Sequence, residues 1–191
     1  VEEWFHILDH KSTQNEKQWL SFESRINVNM ERIFNFLQKN EIKATFFVVG
    51  WIAKKYPEIV KKIDQYGYEI GSHTHMHQLM YSQSRNQVTQ DLIKSIKILQ
   101  DITGKRINCF RAPGFSITQN NKWIFEILHE NGITHDSSIF PAGRAHGGMS
   151  EYKYSKPSKL SYNGLFLKEF PINSISLFGK KIIFSGGGYF R

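Results

Sequence analysis

The feature that most constrains the fold is an alternation of short apolar runs with amphipathic helices. Residues 44–49 form a short β-rich run that Gly50 ends, which is typical of a strand buried on both faces of a parallel sheet. The end of a strand is predicted at 1–5, and further strands are predicted at 69–72, 108–111 and 134–136. Apolar residues spaced three and four apart predict helices at 20–40, 52–66, 84–103 and 120–131. The alternation of strands and helices with short connections predicts an α/β fold with parallel strands and right-handed crossovers.

The number of repeating units limits how complete a barrel can be. The 191 residues hold about five strand–helix units, whereas a closed eight-unit barrel needs about 200 residues or more. Residues 141–158 are rich in Gly, Ser, Tyr and Lys and are predicted to be loop, with short β-like runs at 165–167 and 182–184. We therefore expect one domain over 1–191, a partial β/α barrel that lacks part of its C-terminal end.

Three histidines follow the predicted strand at 69–72 and a Gly-Ser turn. If the backbone turns helical after Ser72, His73 and His77 lie one turn apart on one face, and His75 points elsewhere. Two imidazoles can share a metal ion, but hydrolytic zinc usually has three protein ligands and one open position. The pattern predicts a metal site that needs a third ligand from elsewhere in the chain.

A rival pair with the same spacing, His6 and His10, lies in a polar segment and follows no glycine turn. Because the chain has eight histidines, an isolated pair is weak evidence for a metal. We interpret His6 and His10 as surface residues.

Polar side chains fall at four predicted strand ends, where parallel βα folds collect their functional groups. Structural interpretations remain open for each: terminal acids, a salt-bridging arginine and a capping aspartate. The coincidence nevertheless favours an enzyme. The four positions are Glu2 with Glu3, His73 with His77, Arg111, and Asp136.

These segments resemble the ordered motifs of the NodB-like polysaccharide deacetylases, carbohydrate esterase family four. The matching runs are Glu-Ile-Gly-Ser-His-Thr-His-Met-His at 69–77, Phe-Arg-Ala-Pro-Gly-Phe-Ser at 110–116, and His-Asp-Ser-Ser-Ile-Phe-Pro at 135–141. Val-Glu-Glu-Trp-Phe at 1–5 is similar to the first motif of a subgroup that reads Asp-Val-Glu-(Asp/Glu)-aromatic. Four motifs in order are far more specific than any one of them.

The resemblance implies one divalent metal held by His73, His77 and a carboxylate of the first motif. Side chains alternate along a strand, so Glu2 shares a face with the residue before Val1, where the subgroup has its base aspartate. We therefore expect Glu2 to be the ligand and Glu3 to point away. Two histidines and one carboxylate suit zinc, with cobalt, nickel and iron(II) as alternatives.

The resemblance also implies catalytic roles around this metal. The base aspartate is expected just before Val1 and an acid histidine after Arg191, both outside this chain. Arg111 would keep the base ionised, because a neighbouring cation lowers the pKa of a carboxyl group. Asp136 would complete this arrangement or orient the acid histidine, and a backbone N–H near Pro113 and Gly114 would stabilise the oxyanion. Candidate substrate-binding residues are Trp4, Pro113, Gly114, Phe115 and Tyr189, with Phe5 as a further stacking candidate.

The charge and composition limit which kinds of partner are expected. The net charge is +8, and the segment 151–191 contributes +5 of it. No nucleic-acid motif accompanies this charge, so we expect a solvated basic face and no nucleic-acid partner, with binding through the basic tail as an alternative. No long apolar run or signal-peptide pattern occurs, and the compartment stays open between cytoplasm and cell envelope.

The function that these observations favour is metal-dependent removal of N-acetyl groups from a polysaccharide or glycan precursor. A second enzymatic hypothesis is ring-opening hydrolysis of a cyclic amide or ureide, because relatives of this fold and metal site catalyse it. A third is a glycan-binding module without activity. Acetate release from N-acetylglucosamine oligomers separates the first hypothesis from the other two.

Overall fold

The structure is a computed structural model that describes residues 1–8, 10–144, 146–177 and 180–183. Two compact units divide the chain: Val1–Gln78 with Gln90–Ile107, and Leu79–Thr89 with Asn108–Arg191. The helices are Glu16–Trp19 (α1), Ile26–Lys39 (α2), Gly50–Lys55 (α3), Pro57–Gln65 (α4), Arg85–Thr103 (α5) and Ile124–Glu130 (α6). The strands are Thr45–Val48 (β1), Glu69–Ser72 (β2), Cys109–Phe110 (β3), His135–Asp136 (β4), Ser158–Tyr162 (β5), Leu165–Glu169 (β6), Ser174–Leu177 (β7) and Lys180–Ile183 (β8).

In the first unit, β1 and β2 form a parallel pair. Thr45 lies opposite Glu69 and Val48 opposite Ser72, so both strands end at the same level. Apolar side chains from the strands and helices of this unit are buried, as their spacing predicts. Fully or almost fully buried examples are Phe34, Val48, Val49, Ile52, Val60, Ile63, Leu92 and Leu99.

The predicted helix at 52–66 is two helices in the structure. Helix α3 ends at Lys55 and α4 begins at Pro57, with Tyr56 between them at φ −131° and ψ 61°. Proline excludes the helical conformation at the residue before it, yet fits the first turn of a new helix. Pro57 therefore ends one helix and begins the next.

The predicted strand at 1–5 is also different in the structure. Of these residues, only Val1 pairs with the residue that follows β1. The Val49 N–H donates a hydrogen bond of 3.1 Å to the Val1 carbonyl. The backbone then turns, because the His6 N–H donates to the Glu3 carbonyl at 3.0 Å. Glu2 is thereby held beside the end of β1, just before a turn.

In the second unit, β3, β4 and β6 are parallel, and β5 pairs antiparallel with β6. Asn163 and Gly164, both at positive φ, form the tight turn of the β5–β6 hairpin. Strands β7 and β8 form a separate antiparallel pair. Within the described part of the chain, every helix is too short or too polar to span a bilayer.

Candidate metal centre

The histidine-bearing segment after β2 is a loop, which corrects the expected helical turn. Thr74 and His77 have positive φ values of 63° and 51°, a combination that no α-helix allows. The loop nevertheless brings the rings of His73 and His77 together, with centroids 5.0 Å apart. The expected convergence of these two rings thus arises from turns rather than from helical periodicity.

Backbone hydrogen bonds attach this loop to the end of β1 and to the start of α3. The His73 N–H donates to the Val48 carbonyl at 3.0 Å, and the Gly50 N–H donates to the Thr74 carbonyl at 2.8 Å. A Cβ on Gly50 would lie 2.8 Å from Nδ1 of His75, so this close approach requires glycine. His75 is fully buried here, and the group of potential metal ligands found among the described residues includes His73 and His77 but not His75.

Asp91 on α5 holds the same loop from its other side. Its Oδ2 accepts a hydrogen bond from the His75 N–H at 2.6 Å, and its Oδ1 accepts one from the Met76 N–H at 3.0 Å. The hydroxyl oxygen of Thr74 accepts from the His77 N–H at 3.1 Å. Asp91 was not among the predicted site residues, because no local motif connects it to backbone groups 15 and 16 residues away.

Asp91→Asn is expected to lower zinc affinity about tenfold, since outer-shell groups that position ligands typically contribute 10–100-fold. The amide can accept from only one of the two N–H groups, and its own NH₂ faces the other. Zinc titration with a competing chelator would measure the effect, with Asp101→Asn on an exposed face of the same helix as the control. Equal affinity of Asp91→Asn and the wild type would show that the loop holds its shape without Asp91.

Glu2 completes a group of three potential ligands. Its Oε2 lies 2.5 Å from Nε2 of His77. One donor atom from each of Glu2, His73 and His77 lies within 4.8 Å of the other two. The structure therefore brings together two imidazoles and one carboxylate, the donor set of many catalytic zinc sites.

The electrostatic setting favours the anionic form of Glu2. Burial raises the pKa of this carboxyl, but the hydrogen bond and charge of His77 and the charge of His73 outweigh burial and lower the pKa to about 2. Glu2 is therefore a carboxylate throughout the neutral range. Its side chain is still 46% exposed, whereas the side chain of His77 is only 6% exposed.

Glu3 points away from this group, as expected, although residues 2–5 do not continue a strand. It is buried, and its carboxylate accepts hydrogen bonds from the Ser24 hydroxyl and from the N–H groups of Arg25 and Ile26 at 3.0 and 3.1 Å. Glu3 thus satisfies free N–H groups at the start of α2. This also explains why α2 begins at Ile26 rather than at residue 20.

His6 is buried, so its interpretation as a surface residue is wrong, whereas His10 is exposed as expected. The His6 ring lies 4.4 Å from the ring of Trp19 and 5.4 Å from that of Trp51. These aromatic side chains cover an imidazole that the polar sequence around it did not reveal. Burial, and then the charge of His77, lower the pKa of His6 to about 3, which keeps it neutral.

The predicted catalytic residues Arg111 and Asp136 lie in the second unit. Arg111 donates from Nε to the Ser137 carbonyl at 3.0 Å and from Nη2 to the Ser137 hydroxyl at 2.5 Å. Asp136 is fully buried and accepts a hydrogen bond from the Ser138 hydroxyl. Burial lowers the pKa of Arg111, and the charges of Asp136 and Glu169 oppose this effect. The catalytic roles of Arg111 and Asp136 stay predictions.

The candidate substrate-binding residues have different settings. Trp4 is 46% exposed, and its indole N–H donates to the Glu23 carbonyl at 2.9 Å. Phe5 is fully buried, which excludes it as a stacking surface because the core covers both of its faces. Tyr189 lies outside the described residues.

Pro113, Gly114 and Phe115 form a short 3₁₀ turn in the second unit. Pro113 is buried, whereas Phe115 is half-buried and has the guanidinium groups of Arg111 and Arg144 at 5.6 and 5.0 Å from its ring. Gly114 and Phe115 both have positive φ, at 59° and 54°. Their contact with a glycan stays a prediction.

Two histidines and one carboxylate at the ends of parallel strands define the class, an α/β protein with a candidate hydrolytic metal site. A family profile described as polysaccharide deacetylase matches residues 10–134. The chain therefore belongs to the polysaccharide deacetylase family, which confirms the resemblance seen in its motifs. A second profile, described as a domain of unknown function (DUF3473), matches residues 137–191. The single domain expected over 1–191 stays a prediction.

Known relatives include bacterial peptidoglycan deacetylases. The chain is 34% identical over 96 residues to a peptidoglycan-N-acetylglucosamine deacetylase of Bacillus cereus, a match covering 50% of this chain and 35% of the relative. It is 27% identical over 112 residues to a peptidoglycan deacetylase of Helicobacter pylori, covering 59% and 37%. The chain thus spans little more than a third of the length of these relatives.

Solved structures support the fold. The crystal structure of a candidate polysaccharide deacetylase from Mycobacterium smegmatis aligns with a TM-score of 0.64 at 24% identity, over 75% of this chain and 45% of that one. At this identity the similarity concerns the fold alone. It confirms the predicted fold class, an α/β fold with mostly parallel strands.

Proposed function

We propose that this chain carries the metal centre of a deacetylase that removes N-acetyl groups from a glycan of the peptidoglycan type. The observation that carries the proposal is the convergence of Glu2, His73 and His77 in one unit. Membership in the polysaccharide deacetylase family supports the reaction class. The names of the matched relatives support the substrate class, an N-acetylated sugar polymer.

The three side chains fit a divalent ion of borderline softness. Two neutral imidazole nitrogens and one anionic oxygen suit zinc, and cobalt, nickel or iron(II) have compatible preferences. When bound, such an ion polarises an amide carbonyl and makes water a stronger acid. The low pKa of Glu2 keeps this ligand deprotonated, and Asp91 and Thr74 accept hydrogen bonds from the backbone N–H groups of the loop that carries the two rings. The site is therefore preorganised by the chain itself, which reduces the cost of ordering the ligands on binding.

Acetate release from N-acetylglucosamine oligomers and from peptidoglycan, measured with the full-length protein, tests this function. Activity should disappear after treatment with a chelator and return with zinc or cobalt, because the proposed chemistry depends on the ion. Activity that is indifferent to chelation would contradict the metal centre.

The same assay separates the alternative functions. Consumption of a cyclic amide or ureide without acetate release would favour the ring-opening hydrolase. Retention on the glycan without any turnover by the metal-loaded protein would favour the binding module.

A further inference from the structure

Two carboxyl groups are buried side by side in the second unit. Asp136 on β4 and Glu169 on β6 are register partners in a parallel pair, and both residues are 0% exposed. Neighbouring positions on paired strands direct their side chains to the same face of the sheet. Glu169 was absent from every sequence-based prediction, because nothing near it in the chain resembles a catalytic motif.

Each carboxyl group has one satisfied oxygen and one without a donor. Oδ1 of Asp136 accepts from the Ser138 hydroxyl, and Oε1 of Glu169 accepts from the Ile139 N–H at 3.1 Å. The remaining oxygens, Oδ2 of Asp136 and Oε2 of Glu169, are buried without a donor from any described residue. An ionised carboxylate can only accept hydrogen bonds, so two ionised groups cannot satisfy each other. A single proton held between the two groups would supply the missing donor.

The local charges lead to the same conclusion. Among the residues that the structure describes, Arg111 is the cation whose charge acts on both carboxyl groups, so two ionised acids would leave these groups with a net charge of −1. An uncompensated buried charge costs several kcal/mol, which binding of one proton avoids. Tyr152, whose hydroxyl lies 2.7 Å from that of Ser158, faces the same groups, and burial together with their charges raises its pKa. It therefore stays neutral and adds no further negative charge.

Hydrogen bonding determines which acid keeps the proton. Burial raises the pKa of Asp136 as well, but the hydrogen bond from the Ser138 hydroxyl and the nearby backbone N–H groups of Ser137 and Ser138 favour its anion. Glu169, within the described part of the chain, accepts only from the Ile139 N–H. Burial, followed by the charge of Asp136, raises the pKa of Glu169 well above the usual value. The two groups titrate as a pair, with the proton mainly on Glu169.

We propose that Glu169 is a positioning residue that holds a proton at neutral pH and donates it to Asp136. Asp136 is then kept as an anion between two donors, and the cluster of Arg111, Asp136 and Glu169 is electrically neutral. The shared proton follows from the second unit alone. Its value for catalysis rests on the proposed function, because only there does Asp136 take a catalytic role.

The test compares Glu169→Gln with Glu169→Leu in the full-length protein. Gln copies the protonated acid, since its oxygen can accept from Ile139 and its NH₂ can donate to Asp136. We expect Glu169→Gln to fold as stably as the wild type near pH 5. Glu169→Leu should be less stable at every pH, because it leaves Asp136 and the Ile139 N–H without partners.

The pH dependence follows from the raised pKa. The folded state keeps a proton that the unfolded state releases above the ordinary pKa of Glu, so wild-type stability should fall as pH rises through the raised value. Relative to Glu169→Gln, the wild-type ratio of folded to unfolded protein should drop by up to about tenfold per pH unit in that window. Glu130→Gln, at a carboxyl group that is 62% exposed, is the control and should show no such trend.

Infrared spectroscopy in D₂O provides a second readout that needs no activity. The carbonyl band of a protonated carboxyl group should be present in the wild type at neutral pH and absent in Glu169→Gln. Absence of the band in the wild type, or a stability difference from Glu169→Gln that is constant between pH 5 and 8, would overturn the proposal. If the band is found but the protein releases no acetate, the shared proton stands and the proposed function fails.

Discussion

His77→Ala is expected to weaken zinc binding by more than about 100-fold, because it removes one of three ligands and outer-shell losses alone reach 10–100-fold. Two donors, Glu2 and His73, would remain. The affinity and the stoichiometry of zinc can be measured by titration against a chromophoric chelator. His77 has a positive φ, so circular dichroism should confirm that the variant is folded.

Two further variants make this result interpretable. His73→Ala removes the other imidazole and should lose zinc to a similar extent. His10→Ala tests the rival pair, since His10 has the same spacing from His6 as His77 has from His73. It should bind one zinc ion as tightly as the wild type. Undiminished zinc content in His77→Ala would remove the proposed site.

The second large effect distinguishes the neighbouring acids Glu2 and Glu3, because one substitution should change zinc affinity and the other should change stability. Glu2→Gln should lower zinc affinity by at least about tenfold, since a neutral amide oxygen replaces an anionic ligand in a site where even outer-shell changes cost 10–100-fold. It should change the stability of the metal-free protein little, because the Glu2 side chain is nearly half exposed. Glu3→Gln should leave zinc affinity unchanged.

Glu3→Gln should instead destabilise the fold by about 0.5–2 kcal/mol, the usual cost of losing a helix cap. The carboxylate that accepts from Ser24, Arg25 and Ile26 would be replaced by a neutral group at the positive end of α2. Chemical denaturation of the metal-free proteins measures the change in stability, and zinc titration measures the change in zinc affinity. Loss of zinc in Glu3→Gln with full binding in Glu2→Gln would mean that the roles of the two acids are reversed.

The sequence predicted those features that depend on local pattern. Short β-rich runs between amphipathic segments predicted the parallel α/β fold, and the alternation of side chains indicated which of Glu2 and Glu3 would lie beside the histidines. The break at Pro57 followed the same kind of local rule, since proline restricts the residue before it. Pro57 is therefore a local signal for two helices.

The remaining features depend on contacts between residues that are distant in the chain. The loop from His73 to His77 takes its shape from Asp91, 14 residues beyond His77, so the spacing of the histidines suggested a helix that does not exist. His6 is covered by Trp19 and Trp51, which arrive from different helices. Glu169 meets Asp136 only because β6 pairs with β4. Patterns among neighbouring residues do not reveal these long-range contacts.

Anomalous diffraction at the zinc edge, from crystals of the zinc-loaded protein, tests the central claim most directly. The account predicts one strong peak per chain, with ligand distances of about 2.0–2.1 Å to the nitrogens of His73 and His77 and about 2.0–2.2 Å to a carboxylate oxygen of Glu2. A peak at other side chains, or no peak near these three residues at full zinc occupancy, would contradict it.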